Sequence, residues 1–169
     1  MPRTPLPDAE QLLAALIDAM RDSLAPDTGL IGIHTGGVWI AERLHAALGL
    51  EVPCGSLDVS FYRDDYERIG LHRNVKASTI PFEVEGRHLV LVDDVLYTGR
   101  TIRAAMNELF DYGRPASIRL AALVDRGGRE LPIAAQFVAA TIDLAKGESI
   151  ELTRTTEGRL ALVLHQEQP

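Results

Sequence analysis

Short apolar runs alternate with helical periods along most of this chain, and this alternation limits the folds that it can adopt. Residues 30–33 and 88–92 have the length and composition of buried strands, and each is followed by a turn and then by a helix, at 38–48 and 99–112. Because helical crossovers connect parallel strands, the pattern predicts an α/β fold with a mostly parallel central sheet flanked by helices. The other predicted elements are a first helix capped by Asp8 and running to Leu24, and strands at 57–61, 117–124, 137–139, 148–153 and 160–164.

The length and composition of the chain fit one globular domain, which we expect to span residues 1–169. Its apolar stretches are too short to span a membrane, and the single cysteine, Cys54, leaves no intrachain disulfide. We therefore expect a cytoplasmic protein without a membrane partner. The formal net charge of −7 argues against extensive coating of nucleic acid, although it leaves room for one basic patch.

Residues 89–101 carry the strongest chemical signal. An apolar strand runs into two adjacent carboxylates, Asp93 and Asp94, and the turn Thr98-Gly99-Arg100-Thr101 then opens a helix. The carboxylates can hold two neighbouring hydroxyls of a sugar. The threonine hydroxyls and the free backbone N–H groups at the start of the helix can donate hydrogen bonds to a phosphate. Because adjacent strand residues point to opposite faces, we expect the acid pair where the strand ends. The alternative is that the acids only cap the helix. The combination of an apolar strand, an acid pair and a Thr-Gly-Arg-Thr turn favours a sugar-phosphate site.

Turns follow two further predicted strands, at Thr35-Gly36-Gly37 and at Asp125. The carboxyl ends of parallel strands lie at one edge of a sheet, so we expect these turns to approach the acid pair. The first could also be an ordinary connection to a helix, and Asp125 could be a cap or turn carboxylate. No metal-ligand spacing, Walker lysine or serine nucleophile motif competes with this interpretation.

Five separated segments, in order, resemble the PyrR family of bifunctional pyrimidine operon regulators and uracil phosphoribosyltransferases. These segments are 61–65, 92–101, 113–115, 123–127 and 129–132, and the resemblance covers about residues 9–166. It implies the type I phosphoribosyltransferase fold, with a small hood and a flexible lid loop. It also implies that uracil and phosphoribosyl pyrophosphate (PRPP) react to give uridine monophosphate (UMP) and diphosphate, in at least a homodimer.

The resemblance implies a role for each matched position. Asp93 and Asp94 would hold the ribose 2- and 3-hydroxyls, near a Mg²⁺ ion that PRPP carries and the protein does not bind directly. The implied contacts to the phosphate come from Leu96, Tyr97, Thr98, Gly99, Arg100 and Thr101. Those to pyrophosphate come from Thr35, Gly36 and Gly37. Those to the nucleobase come from Val124, Asp125 and Arg126.

Residues 62–79 are polar, mixed in charge and without periodicity, which is typical of a functional loop or a solvated hairpin. As a lid, this loop would exclude water from a cation-like reacting carbon. Arg63 and Arg73, together with Arg68 and Lys76, could then meet the departing pyrophosphate.

Tyr97 favours a pyrimidine as the accepting base. Purine enzymes that resemble this fold usually carry an aspartate at that position, which serves the purine ring. A tyrosine cannot act as that base near pH 7, because its ordinary pKa is about 10. Alternatively, Tyr97 only packs beside the ribose.

The resemblance also implies a second function, an RNA-binding attenuator of pyrimidine operons that senses UMP and PRPP. The sequence departs from that pattern, because its first helix carries only Arg21 where Gram-positive attenuators carry several arginines. The loop at residues 34–37 reads His-Thr-Gly-Gly where the family often has Arg-Thr-Arg-Gly. With aromatic residues at 5%, no stacking platform for bases is evident. We expect the enzyme and keep the RNA-binding regulator as the alternative.

Overall fold

A five-stranded parallel sheet forms the centre of the computed structural model, which describes residues 5–59 and 78–167. The predicted lid, with Arg63 and Arg73, therefore lies almost entirely outside the described residues. In chain order the elements are α1 (Ala9–Met20), β1 (Gly29–Ile33), α2 (Gly36–Leu48), β2 (Gly55–Leu57), β3 (His88–Leu96), α3 (Arg100–Phe110), β4 (Ser117–Asp125), β5 (Phe137–Thr141), β6 (Glu148–Arg154) and β7 (Leu160–Gln166).

The strand order is β2-β1-β3-β4-β5, and every neighbouring pair is parallel. The predicted α/β fold is thus confirmed. The order reverses between β1 and β3, because β2 lies outside β1 while β4 and β5 follow β3 on the other side. In open parallel sheets a reversal of this kind leaves a crevice at the carboxyl ends of the two strands.

Both faces of the sheet are covered, which explains why the central strands are apolar throughout. Val90 and Val92 pack with residues of α1 and α2, whereas Leu89 and Leu91 pack with residues of α3 on the opposite face. Strands buried on both faces have continuous rather than alternating apolar residues. Helices α2 and α3 therefore approach the carboxyl edge from opposite faces.

Helix α1 begins as predicted, because the Asp8 carboxylate accepts hydrogen bonds from the N–H groups of Glu10 and Gln11. Its end at Leu24 was predicted wrongly. The helix stops at Met20, and the chain then turns, with the Ser23 N–H donating to the Met20 carbonyl.

The antiparallel pair β6–β7 forms a separate two-stranded sheet, in the place of the predicted hood. Its start is joined to the end of β4, because Arg126 Nη2 donates to the Glu148 carbonyl at 3.0 Å. Its second strand is joined to the start of α1, where the Leu160 N–H donates to Glu10 Oε1 at 2.8 Å. Within the described ranges 5–59 and 78–167, we find no helix long and apolar enough to cross a membrane.

Several predicted boundaries differ from the structure, and long-range pairing explains the most important difference. Strand β3 does not end at Val92 but continues to Leu96, because β4 pairs with it as far as Leu96 opposite Asp125. The acid pair therefore lies within a strand and not beyond its end. Strand β2 covers only Gly55–Leu57, α2 begins two residues earlier than predicted, and α3 covers Arg100–Phe110.

Candidate active site

The crevice lies where β1 and β3 separate. Their pairing stops at Gly32 opposite Val92, after which β1 leads into α2 and β3 continues into the acid pair. A Cβ atom at Gly36 would overlap Asp94 Oδ2, and one at Gly37 would overlap the Val92 carbonyl oxygen. The two glycines thus let the first turn of α2 lie directly against β3. The predicted pyrophosphate turn and the acid pair are brought together here.

The two carboxylates of the acid pair lie on opposite faces of β3. Asp93 is 5% exposed and lines a cavity of about 90 Å³ together with Thr98, Gly99 and Thr101. Asp94 lies on the other face, against the first residue of α2. The prediction that both acids lie at the end of a strand is therefore wrong. A ligand must lie across the carboxyl edge of the sheet to meet both carboxylates.

The predicted phosphate loop, residues 97–101, forms the start of α3. Gly99 precedes the helix with a φ of 92°, a conformation that favours glycine. Thr98 is buried, and its Oγ1 accepts a hydrogen bond from the Arg100 N–H at 3.2 Å. The first N–H groups of a helix point out of its N-terminus, so this loop presents donors toward the cavity that Asp93 also lines.

A second segment, residues 126–133, is hydrogen-bonded to the phosphate loop. The Thr98 carbonyl accepts hydrogen bonds from the N–H groups of Glu130, at 2.9 Å, and Leu131, at 3.2 Å. Arg100 Nε also pairs with Glu130 Oε2 at 2.7 Å. The position of the loop is thus tied to the chain that follows β4.

The end of β4 places the three predicted nucleobase residues in different surroundings. The Val124 side chain is fully buried in the core. The Asp125 carboxylate pairs with Arg129 Nη2 at 2.6 Å and accepts from the Gly127 N–H at 2.9 Å. Burial raises the pKa of Asp125, but the hydrogen bonds from Arg129 and Gly127 outweigh it, and the net pKa lies below its usual value. This carboxylate is therefore charged at neutral pH and occupied by internal partners.

The half-buried Arg126 and the exposed Tyr97 lie together at this end of the site. The Arg126 guanidinium lies over the Tyr97 ring, 3.8 Å from its centroid. The Arg126 N–H also donates to the Leu96 carbonyl at 3.0 Å. Tyr97 is 47% exposed, so its ring is available to a ligand beside the strand end.

Arg129 and Glu130 were not among the predicted site residues. Their contacts with Asp125 and Arg100 bring together segments that are distant in the sequence. The local signals for them are the family resemblance of residues 129–132 and the four-residue spacing between Asp125 and Arg129, and neither alone distinguishes a site residue from a surface pair.

The donors present at the crevice suit a magnesium ion that arrives with its ligand. Mg²⁺ favours oxygen donors and is commonly held by one or two carboxylates together with substrate phosphates. Asp93 and Asp94 supply such carboxylates. Among residues 5–59 and 78–167, no group of three or more His, Cys, Asp or Glu side chains could hold a metal ion.

Comparisons with known proteins agree with the geometry. A family model described as the phosphoribosyl transferase domain matches residues 6–149. A protein of Pseudomonas paraeruginosa named "Bifunctional protein PyrR" is 55% identical over 152 residues, which cover 87% of this chain and 89% of that protein. A protein of the same name from Nitrosococcus oceani is 56% identical over 144 residues, covering 84% and 81%.

Solved structures share the fold at low sequence identity. The hypoxanthine phosphoribosyltransferase of Trypanosoma cruzi superimposes with a TM-score of 0.63 at 23% identity, over 83% of this chain and 82% of that chain. A hypoxanthine-guanine enzyme from Leishmania tarentolae, solved with GMP, gives a TM-score of 0.61 at 22% identity, over 86% and 84%. At this identity the likeness supports the fold alone.

Proposed function

Because this chain belongs to the phosphoribosyl transferase family, and within it to the PyrR proteins, we propose that it transfers the phosphoribosyl group of PRPP to uracil. The products are UMP and diphosphate. The observation that carries the proposal is the position of the acid pair at the carboxyl end of β3, with the phosphate loop beside Asp93 on one face and the first turn of α2 beside Asp94 on the other. These groups match the hydroxyls, the 5-phosphate and the pyrophosphate of PRPP.

The residues of the crevice divide the work of binding and orientation. Asp93 and Asp94 accept hydrogen bonds from the ribose hydroxyls and place negative charge near the ring, where positive charge develops as the bond from C1 to the pyrophosphate oxygen breaks. The phosphate loop holds the 5-phosphate away from the reacting carbon, so its binding energy orients the ribose. Mg²⁺, when bound with PRPP, neutralises charge on the pyrophosphate. A ring nitrogen of uracil bonds to C1 as the bond from C1 to the pyrophosphate oxygen breaks, and the nitrogen's proton passes to the departing pyrophosphate or to water.

The residues beside the strand ends support a pyrimidine acceptor. Tyr97 stands where related purine enzymes usually have an aspartate, and its ring already packs against Arg126. Asp125, the nearest carboxylate on β4, is engaged by Arg129 and Gly127. Neither side chain offers a free carboxylate to a purine ring.

The proposal is tested by incubating the protein with PRPP, Mg²⁺ and one base at a time. We expect UMP from uracil and little product from orotate or hypoxanthine. Turnover of hypoxanthine or orotate without turnover of uracil would refute the substrate. The double substitution D93N/D94N should reduce PRPP use strongly while circular dichroism remains unchanged, and unaltered turnover would make the acid pair structural only.

A second candidate function is the RNA-binding regulation that the word "bifunctional" in the names of the relatives suggests. The arginines beside the start of α1 give RNA binding little support, because both pair with carboxylates. Arg43 pairs with Glu10 at 2.7 Å, and Arg159 pairs with Asp8 at 3.2 Å. Filter binding to the cognate pyrimidine operon leader RNA, over a range of salt concentrations, tests this function. Tight, sequence-selective binding that weakens with salt would establish it.

A further inference from the structure

We propose that Arg129 is a positioning residue, which holds the phosphate loop (residues 97–101) in a fixed place relative to the nucleobase end of β4. The proposal deepens the proposed function and rests on it, because it assigns these two regions to the phosphate and the base of one substrate pair. Arg129 touches no reacting atom in this scheme. It acts through the groups that it holds.

The guanidinium of Arg129 joins three chain segments. Nη2 pairs with Asp125 Oδ2 at 2.6 Å, Nε donates to the Ile133 carbonyl at 2.9 Å, and Nη1 donates to the Tyr97 carbonyl. These acceptors belong to the end of β4, the segment before β5 and the first residue of the phosphate loop. The Arg129 side chain is 23% exposed, so water competes only in part for these bonds.

The arrangement depends on the shape of the side chain as well as on its charge. A guanidinium is a planar fork whose donors point in fixed directions, whereas a lysine ammonium is a single point charge. One lysine could pair with Asp125 but could not reach all three acceptors with the same geometry. The lysine variant therefore separates positioning from simple charge neutralisation.

The neighbours of Arg129 transmit its position to the loop. Glu130 and Leu131 donate their N–H groups to the Thr98 carbonyl, and Glu130 also pairs with Arg100. A Cβ at Gly99 would lie 3.0 Å from Ile133 Cγ1, so the segment and the loop are already in close contact. Release of Arg129 should therefore loosen Thr98, Gly99 and Arg100 together.

The test compares R129A, R129K and D125N with the control R43A, which also removes an arginine from an ion pair of 2.7 Å, at the start of α1. Calorimetry measures the Kd of PRPP with Mg²⁺, steady-state kinetics measures KM and kcat, and thermal melting measures stability. We expect R129A to raise the Kd and the KM of PRPP about tenfold to a hundredfold, the range for one charge-assisted hydrogen bond lost between the loosened phosphate loop and the 5-phosphate. R129K should recover only a minor part, D125N should be intermediate, and R43A should stay within about twofold.

The outcomes distinguish positioning from stability and from the proposed function. A lowered melting temperature with the Kd of PRPP within twofold of the wild type would overturn the proposal, as would full recovery in R129K. Added methylguanidinium should restore PRPP binding to R129A. If R129A does not fold, the comparison of R129K with the wild type decides. If the wild type binds PRPP but does not use uracil, the proposed function fails, while the Kd values still decide the role of Arg129.

Discussion

Alanine substitutions at the two adjacent glycines should have different effects, mainly on PRPP binding at Gly36 and mainly on stability at Gly37, because each new methyl group meets different atoms. At Gly36 the methyl would overlap Asp94 Oδ2 and lie 2.8 Å from Asp94 Cγ. At Gly37 it would overlap the Val92 carbonyl oxygen and lie 3.2 Å from Asp93 Cα. The first obstacle is mainly the carboxyl end of a side chain that can rotate, with Asp94 Cβ at 3.0 Å needing only a small shift, and the second is the backbone of a central strand.

The expected magnitudes follow from these neighbours. In G36A the Asp94 carboxylate rotates away and gives up its hydrogen bond from the Val95 N–H, at a cost of about 0.5–1.5 kcal/mol. Replacing glycine in a helix returns up to about 1 kcal/mol, so the free energy of unfolding should change by less than about 1 kcal/mol. The ligand loses a hydrogen bond to a charged acceptor, worth about 1.5–3 kcal/mol, which corresponds to about a 10- to 100-fold weaker Kd for PRPP. In G37A the strand must shift, and overpacking of this kind costs about 1–3 kcal/mol of stability.

The assay pairs urea denaturation with calorimetric titration of PRPP and Mg²⁺ for the wild type and both variants. We expect G36A to lose PRPP affinity at nearly unchanged stability, and G37A to lose stability first. The reasoning would be refuted if G36A kept its PRPP affinity within twofold, or if it lost as much stability as G37A.

Two further predictions concern titratable groups. The pKa of Asp125 is lowered on folding. Its pairing with Arg129 therefore stabilises the protein fully above the unfolded pKa of about 4. This stabilisation is lost as the pH falls through the lower pKa of the folded state. The unfolding free energies of the wild type and D125N should differ by about 1.5–3 kcal/mol at pH 7 and converge in acid; a constant difference would contradict this. Burial, aided by the charge of Glu42, raises the pKa of Cys54 to about 11, so only about one thiol in a thousand is ionised at pH 8. Iodoacetamide should label Cys54 at least a hundredfold more slowly than free cysteine at pH 8, and comparable rates would refute the assigned surroundings.

The sequence was sufficient to predict a mostly parallel sheet, because the central strands and crossover helices have strong local patterns. The short strand β2 does not, and it lies at Gly55–Leu57 instead of the predicted 57–61. Residues 88–92 are apolar enough to mark a central strand without knowledge of its neighbours. The end of that strand was predicted wrongly, since the polar residues Asp93 and Asp94 suggest a turn. Pairing with β4, about thirty residues later in the chain, extends the strand to Leu96 and sends the two carboxylates to opposite faces.

The candidate site was predictable where its residues are adjacent in sequence and not where they meet only in the fold. The phosphate loop and the acid pair belong to one continuous segment, so their chemistry could be inferred together. The contact of Gly36 with Asp94 and the three acceptors of Arg129 depend on how separate segments pack. No local pattern specifies such distances. The roles assigned to Arg63 and Arg73 stay predictions, because both lie outside the described residues.

The hydrogen bond from the Leu160 N–H to Glu10 has a consequence for synthesis of the chain on the ribosome. The two residues are 150 positions apart. At about 5–20 residues per second, Glu10 waits roughly 8–30 s for this donor, whereas helices form within about a microsecond. During that interval the start of α1 has its local Asp8 cap but not its contact with β7. The apolar face of α1 packs with α2, β4 and β5, which are made earlier, so only the contact of its first turn with β7 forms after residue 160 has emerged.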